Sequence, residues 1–287
     1  MRINFAGSIV FPNPVVLIFS ADAIFNKADY IAAGYKYFEA IAIGGGGGRG
    51  GNYHGKDFNH VANTLRIYGG LGGGGGFHRI RGVLSALPSS TNVVVGGAGT
   101  DGTDLLTDAV VEYDIPTTDG GSGGNSHFNN PACIASGGTG GKRVYTATID
   151  IAPANDGGAG GAGNSSSPGT GGAGAISGTI TTSEELPEDG RLVGRIGKGG
   201  GGGAGGLDVE NLNAVRIDPT PGGKGAYDPS DQSVFDVGGP IGANPTNGDL
   251  VVPGWGGGAR ITPLNESNKP YGRSGMAGIV ALRLTVD

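Results

Sequence analysis

The sequence predicts a mainly β and irregular fold, in which short strands feed a stacked block of polyglycine helices of polyproline II type, with little α-helix. Three observations predict it. Glycine supplies 64 of 287 residues and proline only 16, so glycine alone is in excess. No strict Gly-X-Y triplet runs for any distance, which excludes collagen. Second, 37% of the chain is hydrophobic, and the apolar residues fall in strand-like runs between the glycine tracts. Disordered chains lack such runs, because they cannot bury enough apolar surface to offset the entropy of ordering. Third, no stretch keeps a 3.6-residue apolar period over three turns, so helix should be scarce.

Taken in order, residues 1–43 hold little glycine and read as an N-terminal docking segment with strands. Val15 to Phe19 is a fully apolar strand candidate, and Tyr35 to Ile43 is an aromatic and β-branched one that runs straight into Gly44. Residues 44–287 read as a glycine-rich domain. Its tracts recur at 44–51, 69–76, 96–102, 120–124, 137–141, 157–163, 169–174, 197–206, 222–225 and 254–258. Between them lie strand candidates at Asn92 to Val95, Arg143 to Ile151, Ala175 to Thr182 and Leu192 to Ile196, and Ala277 to Val286 closes the chain. A strand leading into a glycine tract is thus repeated many times, which marks one architectural device rather than a set of linkers.

Polyproline II segments have three residues per turn, rise about 3.1 Å per residue and point their backbone groups outward. Only glycine lets such segments approach closely. Neighbours can then satisfy one another's N–H and C=O groups, and an eight-residue tract spans roughly 25 Å. The opposing term is entropy, since glycine loses more freedom on folding than any other residue. Glycines expected in the stack are Gly44, Gly47, Gly50, Gly73, Gly76, Gly158, Gly161, Gly200, Gly203 and Gly206.

Charge and composition narrow the function. The net charge is −6 and lysine and arginine do not cluster, so a nucleic-acid surface is not expected. A single cysteine, Cys133, excludes an internal disulfide framework, and the four histidines show no zinc-ligand spacing. The apolar run from Ile9 to Phe19 carries Pro12 and Pro14, so neither a signal peptide nor a membrane span is expected there. The protein is expected to be made in a cytoplasm and to reach its destination by assembly.

Motifs of catalysis or cofactor binding are weak. The stretches Gly138 to Arg143 and Pro221 to Ala226 lack the Ser or Thr and the following helix of a P-loop, so no nucleotide cofactor is expected. Glu184, Glu185, Glu188 and Asp189 lie in what reads as an exposed turn, not as an acid/base pair. Asp101, Asp104 and Asp108 miss the EF-hand spacing, so no metal is assigned. Aromatic residues after the tracts are candidate loop contacts: Tyr53, His54, Phe58, Phe77, His78, Phe128 and Trp255. Aromatics on loops held by a rigid scaffold are a common grip on saccharide or protein. The same residues could instead close the ends of the glycine stack.

The segment FNKADYIAAGYKYFEAIAIGGGGGRGG, Phe25 to Gly51, resembles the start of glycine-rich minor tail proteins of long-tailed bacteriophages, particularly those of actinobacteria. GRSGMAGIVALRLTVD, Gly272 to Asp287, resembles their ending, where a last glycine segment runs into an apolar strand. The GGxGG tracts are also similar to the glycine-rich adhesins on tail fibres of T-even-like phages, although the non-glycine loops here are longer and less aromatic. The resemblance implies a structural component of the tail tip, a virion location, other phage tail proteins as partners, and a homo-oligomer, with a trimer suggested by tail symmetry. A second reading is an adhesin that recognises a host cell-surface glycan or protein. A third is an ice-binding protein, which would need a regular row of Thr or Ala on one face.

Overall fold

The computed structural model describes residues 13–56, 64–111, 114–130, 132–144 and 275–286, together with the strand segments 181–182, 193–197, 207–210 and 216–217. β-Branched and aromatic residues set the strands. VVLIF makes β1 (Val15–Phe19), AIFN makes β2 (Ala23–Asn26) and YFEAIAI makes β3 (Tyr37–Ile43). Between β2 and β3 lies a five-residue helix, α1 (Ala28–Ala32), and the chain leaves it through Gly34, whose φ of 95° favours glycine. Then come β4 (Tyr53–Lys56), β5 (Thr64–Ile67), β6 (Phe77–Val83), β7 (Ser90–Val94) and β8 (Leu105–Val110). The remaining strands are β9 (Ser126–Phe128), β10 (Cys133–Ala135), β11 (Thr181–Thr182), β12 (Val193–Gly197), β13 (Leu207–Glu210), β14 (Arg216–Ile217) and β15 (Ile279–Thr285). The protein is mainly β and irregular, and helix among the described residues is confined to α1 and one 3-10 turn at Leu84–Ala86.

Among the described residues these strands form three sheets. The largest has six antiparallel strands in the order β1-β15-β3-β6-β12-β11. The second runs β10-β9-β7-β2, also antiparallel. A third, β14-β13-β5-β4-β8, is antiparallel except for the parallel pair β4–β8. The first two sheets share one apolar core, in which Phe38, Ala40, Ala42, Ile80, Val280 and Leu282 of the first meet Phe25, Val93, Phe128 and Cys133 of the second. Phe128 lies at the centre, 5.8 Å from the Phe38 ring and 6.0 Å from the Phe25 ring. The third sheet has a separate core of Tyr53, Leu65, Ile67, Ile115 and Val144.

The boundary between residues 43 and 44 is where strand becomes glycine segment. Residues 15–43 nevertheless share sheets with the rest of the chain: β1 pairs with β15 and β2 pairs with β7. On the far face of β3, buried Glu39 meets the guanidinium groups of Arg79, Arg81 and Arg283 from the strands on either side. Unlike charges in neighbouring positions reinforce the register that the apolar pattern sets.

Candidate functional site: the glycine slab

Between the paired sheets and the third sheet run segments that belong to no strand. β3 passes into 44–51, which passes into β4; β5 into 69–76 and then β6; β7 into 96–103 and then β8. Residues 117–125 enter β9, β10 leads into 136–144, and 275–278 enter β15. These are the first, second, third, fourth, fifth and last rods. The glycine tracts are therefore through-going rods with a strand at one end or at both.

The hydrogen bonds of the first rod repeat every three residues. Gly44, Gly47 and Gly50 donate to the carbonyls of Gly76, Gly73 and Gly70 on the second rod, at 2.8–3.0 Å. One residue on, Gly45, Gly48 and Gly51 donate to Gly124, Gly121 and Thr118 on the fourth, each at 2.9 Å. The remaining set serves the other side: Gly46 donates to Met276 on the last rod. Its carbonyls accept in turn. Those of Gly45, Gly48 and Gly51 take N–H groups of Gly138, Gly141 and Val144 on the fifth rod, and those of Gly46 and Arg49 take Gly99 and Gly102 on the third. A period of three is that of polyproline II, not the period of two of a strand. The first rod is thus the axis of a slab, with five rods around it among the described residues.

The outer rods bond to one another as well. Gly70, Gly73 and Gly76 donate from the second rod to Lys142, Thr139 and Ser136 on the fifth. The fourth rod sends Gly120 and Gly123 to the fifth, and Gly121 and Gly124 to the third. Backbone groups that would be costly to bury unpaired find partners without any sheet.

Sterics explain the composition. A Cβ at Gly44, Gly47 or Gly50 would fall inside the carbonyl oxygens of Ser136, Thr139 or Lys142, and one at Gly45, Gly48 or Gly51 inside those of Gly97, Thr100 or Thr103. Two positions in three of the axial rod are closed to side chains. On the outer third rod only Gly96, Gly99 and Gly102 face a neighbour closely, and a Cβ at Gly97 would meet nothing within 4 Å. Side chains stand at other rod positions: Arg49 on the first rod and Leu71 on the second are buried, while Thr100 on the third and Ser122 on the fourth are exposed.

Polar residues at the rod borders finish the network. The Arg49 guanidinium grips both Asp104 carboxylate oxygens, at 2.6 and 2.9 Å, and Asp101 lies 3.7 Å from its Nε. The same carboxylates accept the backbone N–H groups of Arg49 and Asn52, taking the place of rod carbonyls. Asn52 Oδ1 accepts from Gly69, Asn125 Oδ1 from Gly137 and Ser126 Oγ from Gly96. Asp119 accepts from the Lys142 ammonium and the Arg143 N–H, each at 2.8 Å. Burial alone would raise that carboxyl, but the two donors hold it below the usual aspartate value. Sequence reasoning missed these caps; the available signal was Asn, Asp or Ser standing where each tract meets its strand.

The aromatic and histidine candidates are placed differently from one another. Tyr53, Phe77, His78 and Phe128 stand on strands just beyond a rod, and all four are buried, so the loop placement expected of them is not what the structure has. A rod delivers its chain directly into a strand, and the first large side chains after the glycines fill the core there. Tyr53 donates its hydroxyl to the Lys56 carbonyl at 3.0 Å. His54 is half-buried on β4. Phe58, Trp255, Gly158, Gly161, Gly200, Gly203 and Gly206 lie outside the described residues. Gly44, Gly47, Gly50, Gly73 and Gly76 all donate within the slab.

Reactive groups near the slab are held quiet. His78 Nδ1 accepts the Ile134 N–H at 3.1 Å, and burial lowers this imidazole to about 4. Burial pushes the neighbouring Cys133 thiol up to about 12, and its Sγ donates to the His78 carbonyl. Neither supplies a thiolate or an imidazolium at neutral pH. Among the described residues no three His, Cys, Asp or Glu side chains gather as metal ligands, and no helix is long and apolar enough to cross a membrane.

A family model described as a glycine-rich domain matches residues 26–285, and the chain belongs to that family. No curated protein matches the chain.

Proposed function

We propose that this member of the glycine-rich domain family is a structural component of a bacteriophage tail tip, a minor tail protein on the host-facing side of the virion. The slab is the observation that carries this reading. Rods bonded to as many as five neighbours, with a sheet at each end, form a stiff spacer rather than a catalytic cleft. The resemblance of Phe25 to Gly51 and of Gly272 to Asp287 to phage minor tail proteins supplies the setting. Other tail proteins are its partners, in a homo-oligomer that binds no nucleic acid.

Less supports an adhesin for host glycan or protein, since Tyr53, Phe77, His78 and Phe128 lie in the core. Immunogold electron microscopy of purified particles, with antibody raised against the full chain, tests the proposal. Gold at the tail tip is expected; particles that carry no label, while lysate from the same culture does, would overturn it.

A further inference from the structure

We infer that the far face of the first sheet carries a docking site for an acidic segment of a partner protein, built on Arg81 and Arg283. One row of the site crosses four strands. Val16 of β1 stands opposite Arg283 of β15, Arg283 opposite Glu39 of β3, and Glu39 opposite Arg81 of β6. Directly opposed residues share a face of the sheet. Val15, Leu17 and Phe19 pack on the core, so the alternating Val16 and Ile18 turn to this other face, where they are 39% and 50% exposed.

A structural ion pair needs one guanidinium, and Glu39 holds more than one. Arg81 Nε lies 2.5 Å from its Oε1, and Arg283 Nη1 donates to its Oε2 at 3.2 Å. Arg79 also reaches Oε1 but makes further contacts, so it is set aside in the charge count. Two guanidiniums on one carboxylate leave one positive charge uncompensated, in a chain whose net charge is −6. Among the described residues neither Arg81 nor Arg283 has a second acceptor, although each guanidinium carries five N–H donors. The Glu39 side chain is only 4% exposed, whereas those of Arg81 and Arg283 are 38% and 30% exposed. The carboxylate thus clamps both guanidiniums from beneath and leaves their outer edges to solvent. Donors held in place this way lose little side-chain freedom when a ligand arrives.

The occupant follows from charge and from the flanking surface. A guanidinium edge matches a carboxylate as a fork, and one carboxylate neutralises the single charge in excess. Beside the cations, Val16 and Ile18 offer an aliphatic ledge on the same face. Glutamate or aspartate next to aliphatic side chains, on a segment of another protein, fits both features. The inference needs only the fold and is independent of the tail-tip reading.

Titration of the full chain with the capped peptide acetyl-Ile-Glu-Ile-amide, followed by NMR at fixed ionic strength, tests it. Amides around Arg81 and Arg283 should shift and saturate with a dissociation constant on the order of millimolar. The same peptide with Gln for Glu should bind about tenfold more weakly, as expected for loss of a charged hydrogen-bonded pair. Arg81→Gln should weaken the Glu peptide to a similar degree with an unchanged circular dichroism spectrum, since Arg79 and Arg283 still hold Glu39. Arg81→Lys keeps the charge but not the fork and should bind several-fold more weakly than wild type. Val16→Ser should weaken the peptide while leaving acetate binding unchanged. Absence of a saturable shift at tens of millimolar, equal binding of the Glu and Gln peptides, or undiminished binding to Arg81→Gln would each overturn the inference. Inorganic phosphate that binds more tightly than the Glu peptide would overturn it too, in favour of a phosphate site.

Discussion

Replacing Gly47 or Gly48 with alanine would drive a methyl group into a backbone carbonyl of a neighbouring rod, where no side chain can turn aside. Overpacking of ordinary cores costs 1–3 kcal/mol, and a rigid backbone obstacle places these variants at about 3 kcal/mol or more. Gly97→Ala should do the reverse. Its φ is not in the left-handed region and its surroundings are open, so removing glycine's unfolded-state freedom should add about 0.5 kcal/mol. Urea denaturation of the three variants, read as shifts of midpoint at constant slope, checks both signs. Arg49→Ala leaves the carboxylates of Asp101 and Asp104 without their guanidinium in a mostly buried setting. Both carboxylates keep some solvent contact, so a loss of about 2 kcal/mol is expected, below the 3–5 kcal/mol of a fully buried pair. Acid acts at His78. The unfolded imidazole takes a proton below pH 6.5 and the folded one only near 4, so its contribution is full above 6.5 and falls away as the pH drops toward 4. The loss is about 3 kcal/mol, and His78→Asn, which keeps an acceptor for the Ile134 N–H, should flatten that part of the stability-against-pH curve.

At the scale of the element, a rod differs from a strand in how many sides it bonds. Amide exchange should therefore slow every third residue of the outer third rod, Gly96, Gly99 and Gly102, while the exposed Gly97, Ala98 and Thr100 exchange quickly. Exchange of equal rate along 96–102, measured by NMR, would contradict the assigned neighbours. The strands are legible where apolar residues predominate over a run. Val15 to Phe19 is β1, and Tyr35 to Ile43 and Ala277 to Val286 contain β3 and β15. β6 and β8 were not legible, because FHRIRGV and LLTDAV interleave charged or polar residues with apolar ones at a density that reads as loop. The aromatic residues that follow a tract resemble loop contacts, because a glycine tract in isolation looks like the end of ordered structure. Here the tract is the middle of a segment, so the residue after it is the first of a strand. The need for glycine at two positions in three of the axial rod was not legible either, since it depends on which rods surround it.

Across the whole molecule, each rod ties the paired sheets to the slab, and the first three also reach the third sheet, so loss of the slab should release both ends together. Cys133 reports on this from the core, being fully buried with its thiol pushed up to about 12. Its labelling by a thiol reagent in urea should follow the same midpoint as far-ultraviolet circular dichroism; labelling that runs well ahead of the spectral change would mean that the paired sheets open independently. Glycine rods bond to several neighbours with a period of three, and scalar couplings across hydrogen bonds, measured by NMR on deuterated protein, read those bonds one by one. Couplings are predicted from the Gly44, Gly47 and Gly50 nitrogens to the Gly76, Gly73 and Gly70 carbonyls, and from Gly45, Gly48 and Gly51 to Gly124, Gly121 and Thr118. Couplings that alternate every second residue to a single neighbour, or none at all from 44–51, would contradict it.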